Sequence, residues 1–249
     1  MPRFFIEVAY IGTNYSGFQT QKNANTIQAE IERALKIFYK QDFELTGSSR
    51  TDAGVHAKQN FFHFDTEITV EKNHIYNLNS LLNHDIAINN IFQVADDAHC
   101  RFDATSRTYV YSSHRIKDPF LYNTSYYYPF AINTELLQQY AEVILAFTDF
   151  TSFSKRNTQV KHFLCNVQSS SWKFDNHIWQ YSITADRFLR GMVKAVTGTM
   201  LNLAKANADK NELNNIINSK NCTLADFSPP SKGLCLTHVK LKPSVFLIG

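Results

Sequence analysis

The sequence predicts an α+β protein made of two tandem halves that repeat one order of elements, β-α-β-β-α-β. Three observations carry this prediction: stretches in which apolar and polar residues alternate, stretches in which apolar residues recur at helical spacing, and the same succession of the two on either side of Asp103–Arg107. The chain of 249 residues is 44% hydrophobic and 14% aromatic, enough to bury a core in either half.

In the first half Arg3–Tyr10 alternates as a strand. Ile27, Ile31, Leu35 and Phe38 follow at helical spacing, with Asn25 and Gln28 as a capping pair. Phe43–Ser48 and Asn60–Asp65 read as two strands joined by a polar loop. A helix through Ile75, Leu78 and Leu82 and an apolar strand Ile86–Val94 complete the half. The second half gives strand Thr108–Ile116, helix Thr134–Phe147 and strands near Phe163–Phe174 and Ile178–Ala185. Helices Phe188–Leu203 and Asn211–Ile217 and strand Leu234–Leu241 follow. This order is the ferredoxin-like, RRM-like split βαβ unit. It predicts two antiparallel sheets with helices on one face, domains over 1–104 and 105–249, and a basic active-site cleft between the halves.

Charge decides little: 25 Lys and Arg against 22 Asp and Glu leave a net +3, which permits an anionic partner without requiring one. The opening MPRFFIEVAY reads as a strand rather than an export signal, and no apolar run is long enough for a bilayer. The expectation is a cytoplasmic protein without a membrane partner. Cys100, Cys165, Cys222 and Cys235 are scattered, with no Cys-x-x-Cys pair and no His at zinc-ligand spacing. They read as reduced and partly buried, and no metal or cofactor is expected.

The most informative stretch is the loop between the two central strands of the first half, Gly47-Ser48-Ser49-Arg50-Thr51-Asp52-Ala53-Gly54-Val55-His56-Ala57. Small residues and two glycines surround one arginine and one aspartate, a way to hold a charged pair at a rim. On composition alone the same stretch is a solvated hairpin loop with an Asx-turn at Asp52.

Arg50-Thr51-Asp52-Ala53-Gly54-Val55-His56 closely resembles the signature of the tRNA pseudouridine synthase A family, whose aspartate in that heptad is catalytic. The resemblance extends in order along nearly the whole chain. Tyr10, Gly12–Tyr15, Gly17–Gln19 and Thr26–Gln28 are similar to the family's opening strand, loop and helix start. Asp85-Ile86, Arg101-Phe102 and Arg107-Thr108-Tyr109 resemble its mid-chain motifs, and Asp149–Phe153, Phe188–Lys194 and Gly233-Leu234 those of its second half. The chain departs from the family at Phe18, usually Trp, at Ser49, usually Gly, at Asn83, usually Pro, and at Lys194, usually Arg.

The resemblance implies a cofactor-free isomerase that converts uridine to pseudouridine in folded tRNA, on the 3′ side of the anticodon arm at positions thirty-eight to forty. It also implies a homodimer in which each tRNA contacts both subunits. The N1–C1′ bond breaks, the base turns and C5 joins C1′, so no redox change, phosphate transfer or metal-activated water is needed. Asp52 is the catalytic carboxylate, and it needs a nearby cation if a closing cleft desolvates it. Arg50 is assigned to the flipped-out nucleotide and its phosphates, and Tyr109 to stacking on the target base. Arg187, Arg190 and Lys194 fall at i, i+3 and i+7 of the expected helix, opposite apolar Phe188, Met192, Val196 and Leu203. The resemblance makes Lys194 the partner of the aspartate, with the charge of arginine but without its bidentate fork. His56 and His63 sit near the loop but read as structural, and Tyr126-Tyr127-Tyr128 reads as packing before it reads as a stacking surface.

Two rival classes fit the same elements. A duplicated RNA-recognition-like fold could hold structured RNA without turnover, a reading that the intact Arg50-Thr51-Asp52 opposes. An N-glycoside hydrolase would need a second carboxylate to activate water, and none is evident.

Overall fold

The computed structural model describes residues 1–156 and 160–247. Nine strands and five α-helices lie among them, in an α+β arrangement. They fall into two compact units, one of Met1–Thr105 with the chain from Leu236 onward, the other of Ser106–Cys235.

In the first unit the elements are β1 (Arg3–Tyr10), α1 (Ile27–Tyr39), β2 (Thr46–Gly47), β3 (His56–Asp65), α2 (His74–Leu81) and β4 (Ile86–Val94). β1 lies between β3 and β4, antiparallel to both, and β2 pairs with β3. The pleat sends alternate residues to opposite faces. Phe4, Ile6 and Val8 of β1 and Phe62 and Phe64 of β3 line one face, and Phe18 stacks on Phe62 at 4.3 Å. Phe5, Phe61, His63 and Phe92 lie on the other. α1 buries Ile27, Ile31, Ala34 and Leu35, the stripe its spacing predicts.

The cap of α1 differs from the expected pair. Thr26, itself buried, accepts from Ala29 N, while Gln28 turns its amide inward to Glu32 Oε1 and the Leu45 carbonyl, both at 2.8 Å. The stretch expected as strand Phe43–Ser48 pairs only over Thr46–Gly47, whereas β3 begins four residues before Asn60, at His56.

In the second unit β5 (Ala104–His114, entering the unit at Ser106), β6 (Tyr126–Tyr127), α3 (Thr134–Leu145), β7 (Val167–Asp175) and β8 (Ile178–Ala185) precede two helices, α4 (Met192–Lys205) and α5 (Lys210–Asn218). β8 lies between β5 and β7, antiparallel to both, and β6 runs parallel to β5. α3 packs on β7 and on both later helices.

β9 (Leu234–Leu241) has its expected bounds, but from Leu236 onward it belongs to the first unit, next to β3. The sequence reading closes the second half with this strand. Alternation identifies a strand but carries no information about its neighbour, which is a non-local choice.

Candidate active site

The loop from Gly47 to Ala57 is held from beneath by buried polar groups. Tyr10, at the end of β1, shares a 2.9 Å hydrogen bond between its hydroxyl and that of Thr51. Asn60, fully buried on β3, donates to the Tyr10 hydroxyl at 3.1 Å and to the Ser49 carbonyl at 2.8 Å, and its own carbonyl accepts from Ser49 N and Phe61 N. An unpaired buried polar group is costly, so this mutually satisfied set fixes the loop's register.

A second brace comes from the turn after β1. Phe18 N donates to the Thr51 carbonyl at 3.1 Å, and Gly54 N donates to the Tyr15 carbonyl at 3.3 Å. The carbonyls of Gly17 and Phe18 accept from Ile27 N and Gln28 N at the start of α1, which takes up two donors that a helix leaves unpaired. Gly17 has φ +117, and a Cβ there would sit 3.2 Å from the Thr51 carbonyl oxygen. Only glycine allows that approach. The Tyr15 hydroxyl donates to Asp85 Oδ1 at 2.6 Å; burial and this bond raise its pKa to about 12, so it stays a donor. Gly12 N donates to His56 Nδ1 at 2.9 Å, so His56 braces the turn after β1.

Asp52 stands at the top of this frame, half-buried, with its carbonyl accepting from Val55 N at 3.1 Å. Arg50, two residues earlier, is exposed. The buried hydroxyls of Ser48 and Ser49 have no hydrogen-bond partner among the described residues. His63, by contrast, lies seven residues along β3 from His56, buried, its pKa pushed down to about 4 by burial and by the charge of Arg3. It is a neutral imidazole opposite Thr46, the residue before the loop, at the far end of β3 from His56.

The second unit carries the other predicted residues. Tyr109 is half-buried on β5, opposite Ile183 of β8, with its ring edge-on to Phe188 at 5.1 Å. Arg107 donates to the Asp186 carbonyl at 2.8 Å. Lys194 is half-buried in the first turn of α4, and its Nζ donates to Ser231 Oγ at 3.4 Å. Arg190 is exposed, and its carbonyl accepts from Lys155 N.

The expected basic face of Arg187, Arg190 and Lys194 does not form as a helical stripe. α4 starts at Met192, after Gly191 in the left-handed region at φ +76, so Arg187 and Arg190 belong to the preceding turn. Arg187 Nη1 lies 3.1 Å from His162 Nδ1 and donates to the His162 carbonyl. Phe188 likewise lies outside the helix, while Met192 and Val196 are buried in it as expected.

Sequence reasoning missed the Tyr10, Thr51 and Asn60 group and the Tyr15–Asp85 pair. A signal for the first was present: Asn60 occupies an inward position in line with Phe62 and Phe64, where a polar residue needs a partner.

A family model described as tRNA pseudouridine synthase matches residues 6–103 and 147–241, and the chain belongs to that family, whose members are isomerases. Among individual proteins, it is 40% identical over 253 residues to the tRNA pseudouridine synthase A of Parabacteroides distasonis, covering 99% of this chain and 98% of the relative. It is 38% identical to that of Bacteroides fragilis over 98% of both chains, and 31% identical to that of Staphylococcus aureus over 98% of this chain and 93% of the relative.

Proposed function

We propose that this chain isomerises uridine to pseudouridine in tRNA, at positions thirty-eight, thirty-nine and forty of the anticodon arm, with Asp52 as its essential carboxylate. The observation that carries this reading is the frame under Asp52. Thr51 is bonded through its hydroxyl to Tyr10 and through its carbonyl to Phe18 N, so the residue before the carboxylate cannot shift without breaking buried bonds. Rigid placement of one reacting group is what an isomerisation without cofactor needs from the protein.

The remaining roles follow the family pattern. The target nucleotide leaves the stack, Tyr109 stacks on its base, and Arg50 and Arg190 hold phosphates and the extruded sugar. Lys194 supplies the positive charge that keeps Asp52 ionised when the base excludes water. The N1–C1′ bond breaks and the C5–C1′ bond forms; C5 loses its hydrogen as a proton and N1 gains one, so atoms and electrons balance. We read the two units as tandem ferredoxin-like modules, the N-terminal one bearing the aspartate and the C-terminal one the tyrosine and the basic residues. The chain works in the cytoplasm as a homodimer on this reading.

The test is release of tritium from a tRNA transcript labelled at uracil C5. Wild-type protein releases label without free uracil, and Asp52→Asn releases none while binding the same tRNA. Free uracil in place of pseudouridine would turn the reading to a hydrolase, and binding without release to an RNA-binding protein.

A further inference from the structure

On the face of the first unit's sheet that carries Phe5 and Phe61, the fold brings together three donors far apart in sequence. His63 Nδ1 and Cys100 Sγ are 3.2 Å apart, and the His63 and His99 rings meet edge to face at 4.6 Å. One donor atom from each of His63, His99 and Cys100 lies within 4.8 Å of the others. We propose that these three residues bind one zinc-class divalent cation.

Two imidazoles and a thiolate are a borderline-soft set that suits zinc rather than magnesium or calcium. Ligands of one tetrahedral zinc stand roughly 3.3–3.6 Å apart at metal–ligand distances of about 2.0–2.3 Å. The His63–Cys100 pair is already near that spacing. His99, the half-buried member, closes the remaining distance. Its Nδ1 accepts from Arg101 N at 3.1 Å, which leaves Nε2 to face the ion. Fixing one ring nitrogen in this way is how metal-ligating histidines are usually oriented.

Binding removes the Cys100 thiol proton, which passes to solvent, and replaces the weak bond from Cys100 Sγ to the Thr46 carbonyl at 3.2 Å. Arg3 stands close by and favours the thiolate. Its own charge is offset by the two-bond pairing with Asp65 at 2.7 and 2.8 Å, so it does not repel the ion unopposed. Solvent supplies the fourth ligand on the open side of His99. His63 lies roughly 23 Å along β3 from His56 at the usual rise per residue, and the ion clamps the segment before β5 onto the sheet beside Thr46.

The experiment uses the full chain, stripped of metal with a chelator and titrated with zinc against a chromophoric competitor, and with cobalt followed by thiolate-to-metal charge-transfer absorption. Wild type takes up one equivalent and shows that absorption. Cys100→Ser loses the absorption, and both Cys100→Ser and His99→Gln bind zinc at least about tenfold more weakly. Cys222→Ser, a half-buried cysteine outside the cluster, leaves both unchanged. Should Cys100→Ser fail to fold, His99→Gln decides alone. No uptake by wild type, or uptake that survives either substitution in a folded protein, overturns the proposal.

Discussion

Tyr10 and Thr51, the residue that precedes Asp52, join hydroxyl to hydroxyl at 2.9 Å, and Asn60 donates to the same tyrosine oxygen. The three are buried and come from a strand end, a loop and a neighbouring strand, so one bond couples the loop's position to the sheet.

Thr51→Val keeps the shape of the side chain and removes the hydroxyl. The Tyr10 hydroxyl loses its bond to Thr51 and retains that from Asn60, at a cost of about 1–2 kcal/mol. Urea unfolding should report that loss, and tritium release should report a lower kcat with a smaller change in KM. An unchanged kcat would separate the frame from catalysis.

Gly17→Ala puts a Cβ against the Thr51 carbonyl at a backbone angle that alanine rarely adopts. Glycine replacement stabilises where the backbone suits alanine, but at this strained angle a loss of roughly 1–3 kcal/mol is expected. A lower denaturation midpoint with an unchanged m-value is the expected result.

Lys194 separates charge from geometry. Lys194→Arg should retain or raise activity, while Lys194→Ala should lower kcat about tenfold or more, equivalent to ~1.4 kcal/mol of barrier. Single-turnover rates on saturating tRNA measure this, and equal rates for all three forms would remove the charge from the mechanism.

His63 makes a pH prediction for the metal-free protein. Its folded pKa is lowered from 6.5 to about 4 by burial, then by Arg3 and His99, with Asp65 opposing. Between those values the unfolded chain holds the proton and the folded chain does not, so stability falls as pH drops through this window. From pH 7.5 to 5 wild type should lose roughly 1–2 kcal/mol more than His63→Asn in urea titrations. Parallel pH profiles would mean that the folded imidazole accepts the proton after all.

What the sequence determined by itself was local pattern and local chemistry. Alternation delimited Arg3–Tyr10, and strand-like runs delimited Ile86–Val94, Ile178–Ala185 and Leu234–Leu241, because a buried pleat leaves its imprint residue by residue. The heptad from Arg50 to His56 marked the loop that bears the carboxylate, since its residue types are readable wherever they sit. Tertiary structure decided what depends on partners distant in the chain. It moved β9 from Leu236 onward into the first unit beside β3, and set Asn60 under both Tyr10 and Ser49. It brought His63 to Cys100, and it started α4 only after the left-handed turn at Gly191, which undid the predicted basic stripe. Strand neighbours, buried hydrogen bonds and the point where a helix begins are settled by competition among non-local contacts, and a local pattern contains no record of which contact wins.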